Sequence, residues 1–440
     1  MLAKPDWKRR AVPLIVWGDG GAFTKAGNSI MLLCVAGLLM ADFSWKSVFP
    51  VSAFCKFNRA RKSVHGDDND TWDRIWKYAV HGLNALFDGH HPATDPWGNA
   101  WPTGSRQANL AGKPIANGLF FAVVWVLTWD QDYGSNELGL AHYNSNNICC
   151  WCPANRSNYN FRDVRRNAPY RIMHYKPGPT DARVSVHEIW SLRGVNRFHY
   201  SGDEMHSSAL GVLLDLHGSA LADAVDSEVG FIHGGTVEQR VASVWVELHR
   251  KCREIGVPKT MSIITARMLG KHNKFPSLRA KAAESKSLVV PMLSFLEEKA
   301  PATMHWTHVK QCYKNIAIFY EVIVSAGYVL TDEEADRVAR AIDLFMLHYN
   351  ALTNIGNERG IPRYNFTGKL HVLHHICHFA RYLNPRLTWT YQFEDFMGHW
   401  IKWGNTCSLG TAGHNIPAKM MQHYMLILSH LVHGGFVWRT

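Results

Sequence analysis

Residues 119–129 are a run of nearly pure apolar sequence, rich in Val, Phe and Trp, that stops at Asp130. A strand with one solvated face would alternate; this run has no polar residues to expose, so it reads as a strand buried on both faces. A chain containing it needs packed layers on both sides of a sheet. Earlier segments supply the neighbours. Residues 11–17 form a short apolar run halted by Gly18-Asp19-Gly20-Gly21, and residues 29–39 and 47–54 are β-rich runs with turn residues between them. Residues 71–87 place Trp72, Ile75, Trp76, Ala79, Val80 and Leu83 on one helical face. The order is strand, strand, strand, helix, strand, and the first and fourth strands are each expected to end in a carboxylate.

A Gly/Pro/Asn-rich loop fills residues 88–117, and from about residue 207 onward the chain reads as helical. Helical spacing marks residues 239–255, 277–299, 306–326, 331–352, 367–383, 391–403 and 416–432. Thr331-Asp-Glu-Glu opens one of these with an N-cap and an acidic first turn. At 440 residues the chain spans two or three domain-sized units of ~100–200 residues each. With 47% hydrophobic and 19% charged residues it can bury a core and is not a disordered chain. The longest apolar run, 30–41, ends at Asp42 and falls short of the ~20 residues a membrane span needs; the N-terminus has no apolar signal core. No membrane association is expected.

Lys and Arg outnumber Asp and Glu by 47 to 36, a net charge of +11 that favours a polyanionic partner. The excess concentrates in residues 151–200. There Arg156, Arg162, Arg165, Arg166, Arg171, Lys176, Arg183, Arg193 and Arg197 face only Asp163, Asp181 and Glu188.

Three carboxylates stand where chemistry is plausible. Asp19 lies between glycines at a strand end, which exposes it, although a lone Gly-Asp-Gly is ordinarily a turn. Asp130 and Asp132 follow the buried strand and share a face if the strand runs that far. Glu394 sits in a helix among Phe393, Met397 and Trp400. Two strand-end aspartates and a helix glutamate can hold two hard cations, Mg²⁺ or Mn²⁺, about 4 Å apart, an arrangement that cleaves phosphodiesters.

A second cluster suits a softer metal. The nine cysteines are scattered except Cys149, Cys150 and Cys152, which argues for a reducing compartment and a local metal site. Cys149 and Cys152 form a Cys-x-x-Cys and need two more ligands. His371 and His375, four apart on a helix, point to one side, with His374 as an alternative to either. Together they make a Cys₂His₂ zinc site joining distant segments. Asp203, three residues before His206, reads as an N-cap.

The order of these motifs resembles the catalytic domain of eukaryotic cut-and-paste DNA transposases, CACTA-like and related, a layout shared by the vertebrate antigen-receptor recombinase. The resemblance covers about residues 11–435. It implies an RNase H-like α/β fold, a mixed sheet with flanking helices interrupted by a large all-helical insertion. It implies an Asp-Asp-Glu triad of Asp19, Asp130 and Glu394, the last in Tyr-Gln-Phe-Glu-Asp-Phe-Met-Gly, and prefers Asp130 to Asp132 because Cys149 follows it by about the family's spacing. Asp203 and His206 match its Asp-x-x-His motif, and Cys149, Cys152, His371 and His375 its structural zinc.

The implied organisation is a first core part at 11–215, an insertion at 216–364 and a second core part at 365–440. The implied function is metal-dependent DNA hydrolysis and strand transfer in the nucleus, by a homo-oligomer assembled on DNA, with Arg156, Arg162, Arg165, Arg166 and Arg171 tracking phosphates. Only about ten residues precede the first strand, so no end-recognition module is expected there. The second reading is an inactive or domesticated derivative that binds DNA or serves as a scaffold.

Overall fold

The glycine run expected to halt the first strand lies inside it. In a computed structural model, which describes residues 4, 6–24, 27–40, 44–59, 71–172, 187–258, 261–270 and 274–433, β1 spans Ala11–Ala22. It continues because β2 (Ser29–Gly37) is there to pair with it: Gly18 lies opposite Leu33, Asp19 opposite Leu32 and Ala22 opposite Ser29. β3 (Val48–Cys55) and α1 (Thr71–Asp88) follow, then β4 (Phe121–Thr128) and α2 (Gln131–Leu138). The later helices are α3 (Leu213–Ala224), α4 (Val237–Ile255), α5 (Val289–Lys299), α6 (Met304–Ser325), α7 (Asp332–Glu358), α8 (Gly368–His378), α9 (Tyr391–Ser408) and α10 (Ile416–His433).

The chain divides into two units, and it crosses between them repeatedly. The first comprises Met1–Leu140, Pro177–Ser201 and Thr390–Thr440; the second comprises Ala141–Lys176 and Gly202–Trp389. The boundaries expected near 215 and 364 both fall within the second unit.

The first unit is mixed α/β. Its sheet has the order β3-β2-β1-β4, antiparallel between β1 and β2 and between β2 and β3, and parallel between β1 and β4. Beyond β4 one further parallel bridge joins Leu127 to Tyr200, the Ser201 N–H donates to the Leu127 carbonyl at 2.9 Å, and Tyr200 stacks on Trp129.

Alternation along β1 assigns its two faces. Trp17 stacks on Phe393 of α9 with ring centroids 5.1 Å apart, and Gly21, two pairs further on, lies under Ile401 and Met397 of the same helix. The other face turns Gly18 toward Tyr133 of α2, and Trp72 of α1 meets both Tyr133 and Phe54 of β3. Helices therefore lie on both faces, but β4 takes only the centre of the 119–129 run: Leu119 and Phe120 precede the strand and are exposed, and so is Trp125 within it. α10 packs on α9 through Tyr424, whose hydroxyl donates to the Val48 carbonyl of β3.

The second unit is helical. α6 and α7 form an antiparallel hairpin: Cys312 reaches the Phe345 carbonyl at one level and Arg337 pairs with Glu321 at another. Thr331 caps α7 in a capping box with Glu334, as its sequence indicates. Two helix expectations change. The segment 277–299 is broken into Ala282–Ser287 and α5, because Pro291 has no N–H to bond back into the preceding turn. The helix expected over 367–383 ends at His378.

Two glycines of the first unit should respond oppositely to substitution. A Cβ at Gly18 would sit 2.2 Å from the buried Tyr133 hydroxyl, whereas one at Gly82, on an exposed position of α1, meets nothing within 4 Å. Gly18→Ala should lower stability by about 1–3 kcal/mol through overpacking. Gly82→Ala should raise it by about 0.5–1 kcal/mol through helix propensity. Denaturant midpoints of the two variants check both.

Candidate active site and metal centre

The three carboxylates belong to the first unit. The last β1–β4 pair is Trp17 with Thr128; Asp19 lies two residues further along β1, inside the strand rather than at its expected end, because β2 pairs with β1 as far as Ala22, and Asp130 lies two residues past the end of β4. β4 stops at Thr128, so Asp130 is not part of the strand. It N-caps α2, its Oδ1 accepting the Tyr133 N–H at 2.6 Å, while Asp132 lies exposed in that helix's first turn. Asp19 Oδ1 accepts the Gly20 N–H at 2.6 Å. Glu394 follows Phe393, the residue stacked on Trp17, on the helix that covers the face of β1 to which alternation assigns Asp19. Tyr133 marks this neighbourhood. Burial pushes its phenol well up, and the negative charges of Glu137, Asp19 and Asp130 add to the shift. Sequence reasoning passed over Tyr133, which carries no motif signal.

The Cys/His site assembles in the second unit. Cys149 and Cys152 are buried in the loop after α2, and His371 and His375 share a face of α8. Cys149 Sγ lies 3.5 Å from His375 Nε2, Cys152 Sγ lies 3.3 Å from both His371 Nε2 and His375 Nε2, and the two imidazole nitrogens are 3.1 Å apart. A tetrahedral metal with bonds of about 2.0–2.3 Å sets its ligand atoms roughly 3.3–3.8 Å apart, so the four can hold a metal ion.

Its electrostatics favour a cation. Burial opposes a Cys149 thiolate, yet the Cys152 thiol and the charges of His375 and His371 hold its titration well below the usual range. The Trp151 and Cys152 N–H groups donate to the same sulfur. Burial and the neighbouring Cys149 charge push Cys152 the other way. Two adjacent buried thiolates repel each other, and a dication between them removes that repulsion. His374 points elsewhere: it belongs to a second cluster with Asp343 and His378. The triad carboxylates are in neither cluster.

Asp203 caps the helical turn Glu204–Ser207, accepting the Met205 and His206 N–H groups, and its other oxygen meets His206 Nδ1. The cap expectation therefore describes its local contacts. Beside it Glu204 is fully buried, next to a π-helical turn, Ser208–Val212, that no sequence signal announced. The Ser208 hydroxyl bonds Glu204 and meets the Tyr320 hydroxyl at 2.7 Å. Burial pushes the Glu204 carboxyl up to about 7.

The basic segment is less uniform than its composition. Arg156 is held by the Ser145 and Tyr143 carbonyls, Arg165 pairs with Asp163, and Arg171 is drawn inward to Asp343. Arg156, Arg162, Arg165 and Arg166 are exposed. Lys176 and Arg183 lie outside the described residues.

No family model and no curated protein sequence matches the chain. Among the described residues no helix is long and apolar enough to cross a membrane.

Two outcomes follow. Cys149→Ser or Cys152→Ser should abolish metal retention and destabilise the second unit by several kcal/mol, since binding energy at such sites is folding energy; metal content and denaturant unfolding measure this. Glu204 ionises in an unfolded chain near its ordinary 4.5 but in the fold only at about 7. The folded protein holds the extra proton between those values, so stability falls as pH rises through that window, by on the order of 2–3 kcal/mol. Glu204→Gln should flatten the dependence in a pH series of thermal midpoints.

Proposed function

We propose that this protein is an RNase H-like, Asp-Asp-Glu DNA transposase-type nuclease whose catalytic carboxylates are Asp19, Asp130 and Glu394. The observation that carries the reading is the backbone arrangement. Asp19 lies on β1 and Asp130 just past the end of its parallel neighbour β4, each two residues beyond the last pair between them, and α9, which carries Glu394, packs on β1 through the Trp17–Phe393 stack. The strand order β3-β2-β1-β4, with a further parallel bridge at Tyr200, supports the RNase H-like assignment. The helices between the second and third carboxylates support an insertion.

Hard oxygen donors fit Mg²⁺ or Mn²⁺, and a bound pair would supply activation of water or a 3′-hydroxyl and stabilisation of the departing oxygen. The protein's part is to hold the three carboxylates in place. The Gly20 and Tyr133 N–H groups fix one oxygen each of Asp19 and Asp130, and α9, packed along β1, fixes Glu394. Cys149, Cys152, His371 and His375 hold a structural Zn²⁺ in this reading. Exposed Arg162, Arg165 and Arg166 are the arginines of the basic segment best placed for phosphates, and binding through them weakens as salt rises. Assembly as a homo-oligomer on DNA and nuclear location follow from the substrate. The role of Asp130 as a helix cap favours one competing reading, in which the carboxylates are structural remnants and the protein binds DNA without cutting it.

Nicking of supercoiled plasmid separates the two. The proposal expects Mg²⁺- or Mn²⁺-dependent nicking that falls at least about a hundredfold in Asp19→Asn and Glu394→Gln, the scale of losing one catalytic electrostatic contact. Salt-sensitive DNA binding with no nicking by the folded wild type would overturn it in favour of the binding protein.

A further inference from the structure

α8 carries four histidines, His371, His374, His375 and His378, and they form two interleaved pairs each four residues apart. Residues four apart stack on one helix face, and the second pair is rotated from the first by about 60°. The first pair meets Cys149 and Cys152. The second meets Asp343 of α7: His374 Nε2 lies 3.3 Å and His378 Nε2 3.5 Å from Asp343 Oδ1, and the two rings are 4.2 Å apart.

The two histidine–aspartate separations are edges expected between donors bound to one first-row divalent ion at about 2.0–2.2 Å, and the three ligand atoms all lie within 4.8 Å of one another. His374 supplies an independent indication. Its side chain is buried, and its one polar approach among the described residues is that of Nε2 to Asp343 Oδ1. Arg171 Nη1 donates to Asp343 Oδ1 at 2.9 Å. Ligating carboxylates are commonly hydrogen-bonded in turn by such outer partners.

We propose that His374, His378 and Asp343 form a second metal site, distinct from the Cys/His site, for a borderline first-row divalent cation such as Zn²⁺ or Co²⁺. Two imidazoles and one carboxylate fill one side of a coordination sphere and leave positions for water or an anionic ligand. The exposure of His378 and Asp343, at 40% and 36% of their side chains, puts those positions toward solvent. The site ties α7 to α8 while the other histidine pair ties α8 to the cysteine loop.

The test is metal stoichiometry of the full chain, dialysed free of loose metal and titrated with Co²⁺ or Zn²⁺. The expected result is one retained equivalent and a second that loads on titration. Cobalt at the second site should add ligand-field absorption without further sulfur-to-metal charge transfer. Losing an outer-shell partner already weakens metal binding about tenfold or more, so His378→Ala and the milder His378→Gln should weaken the second equivalent at least that much. Both should keep the first equivalent and the wild-type circular dichroism. A single equivalent, or a second one indifferent to both His378 variants, would overturn the site and leave an ion-paired Arg171–Asp343–histidine cluster. Loss of the first equivalent alone would instead count against the Cys/His reading.

Discussion

The stack of Phe393 on Trp17 joins a helix near the end of the chain to the strand near its beginning, and the candidate active site depends on that contact. Trp17 can present its ring because alternation puts it on the same face as Asp19, Gly21 and Phe23. α9 can lie close because Gly21 leaves room for Met397 and Ile401. Glu394, next to Phe393, is carried to the strand that bears Asp19. The opposite face obeys a similar rule, with Gly18 making room for Tyr133 and Tyr133 meeting Trp72. A glycine-rich strand thus supports close-packed helices on both sides, and the sites with small side chains are where the helices come nearest.

The second unit relies on a different device. α8 is short, and beside the aliphatic Leu370, Val372, Leu373 and Ile376 it buries the imidazoles of His371 and His374. Buried imidazoles without partners are costly. The arrangement becomes favourable when the rings of one face have cysteine sulfurs to share a cation with and those of the next face have a carboxylate. In the proposed reading, metal content bears on the stability of this unit as well as on its chemistry.

Much of this was legible in the residues, and the failures have physical reasons. The apolar run closed by Asp130 pointed to a strand between two layers, and β4 forms there largely buried, while Leu119, Phe120 and Trp125 stay exposed. The capping box at Thr331 and the four-residue spacing of His371 and His375 are local patterns, and they appear as local structure. The glycine run around Asp19 misled because glycine disfavours a strand in isolation, while pairing with residues 29–33 of β2 overrides that preference. Asp132 looked equivalent to Asp130 only as long as β4 was taken to continue; a helix begins there instead, and its cap separates the two. The burial of Glu204, the place of Tyr133 and the approach of Asp343 to His374 and His378 depend on long-range packing, which leaves no local pattern to read. His374 and His378 did carry a signal, the second four-residue pair, but it was masked by the first.

The claim on which the functional account rests is that Asp19, Asp130 and Glu394 share divalent cations. Anomalous diffraction from crystals of the protein grown with Mn²⁺ addresses it directly. The account predicts two manganese peaks about 4 Å apart, bounded by oxygens of these three carboxylates. Carboxylates that point away from one another with no manganese between them, in crystals where the ion binds elsewhere, would contradict it.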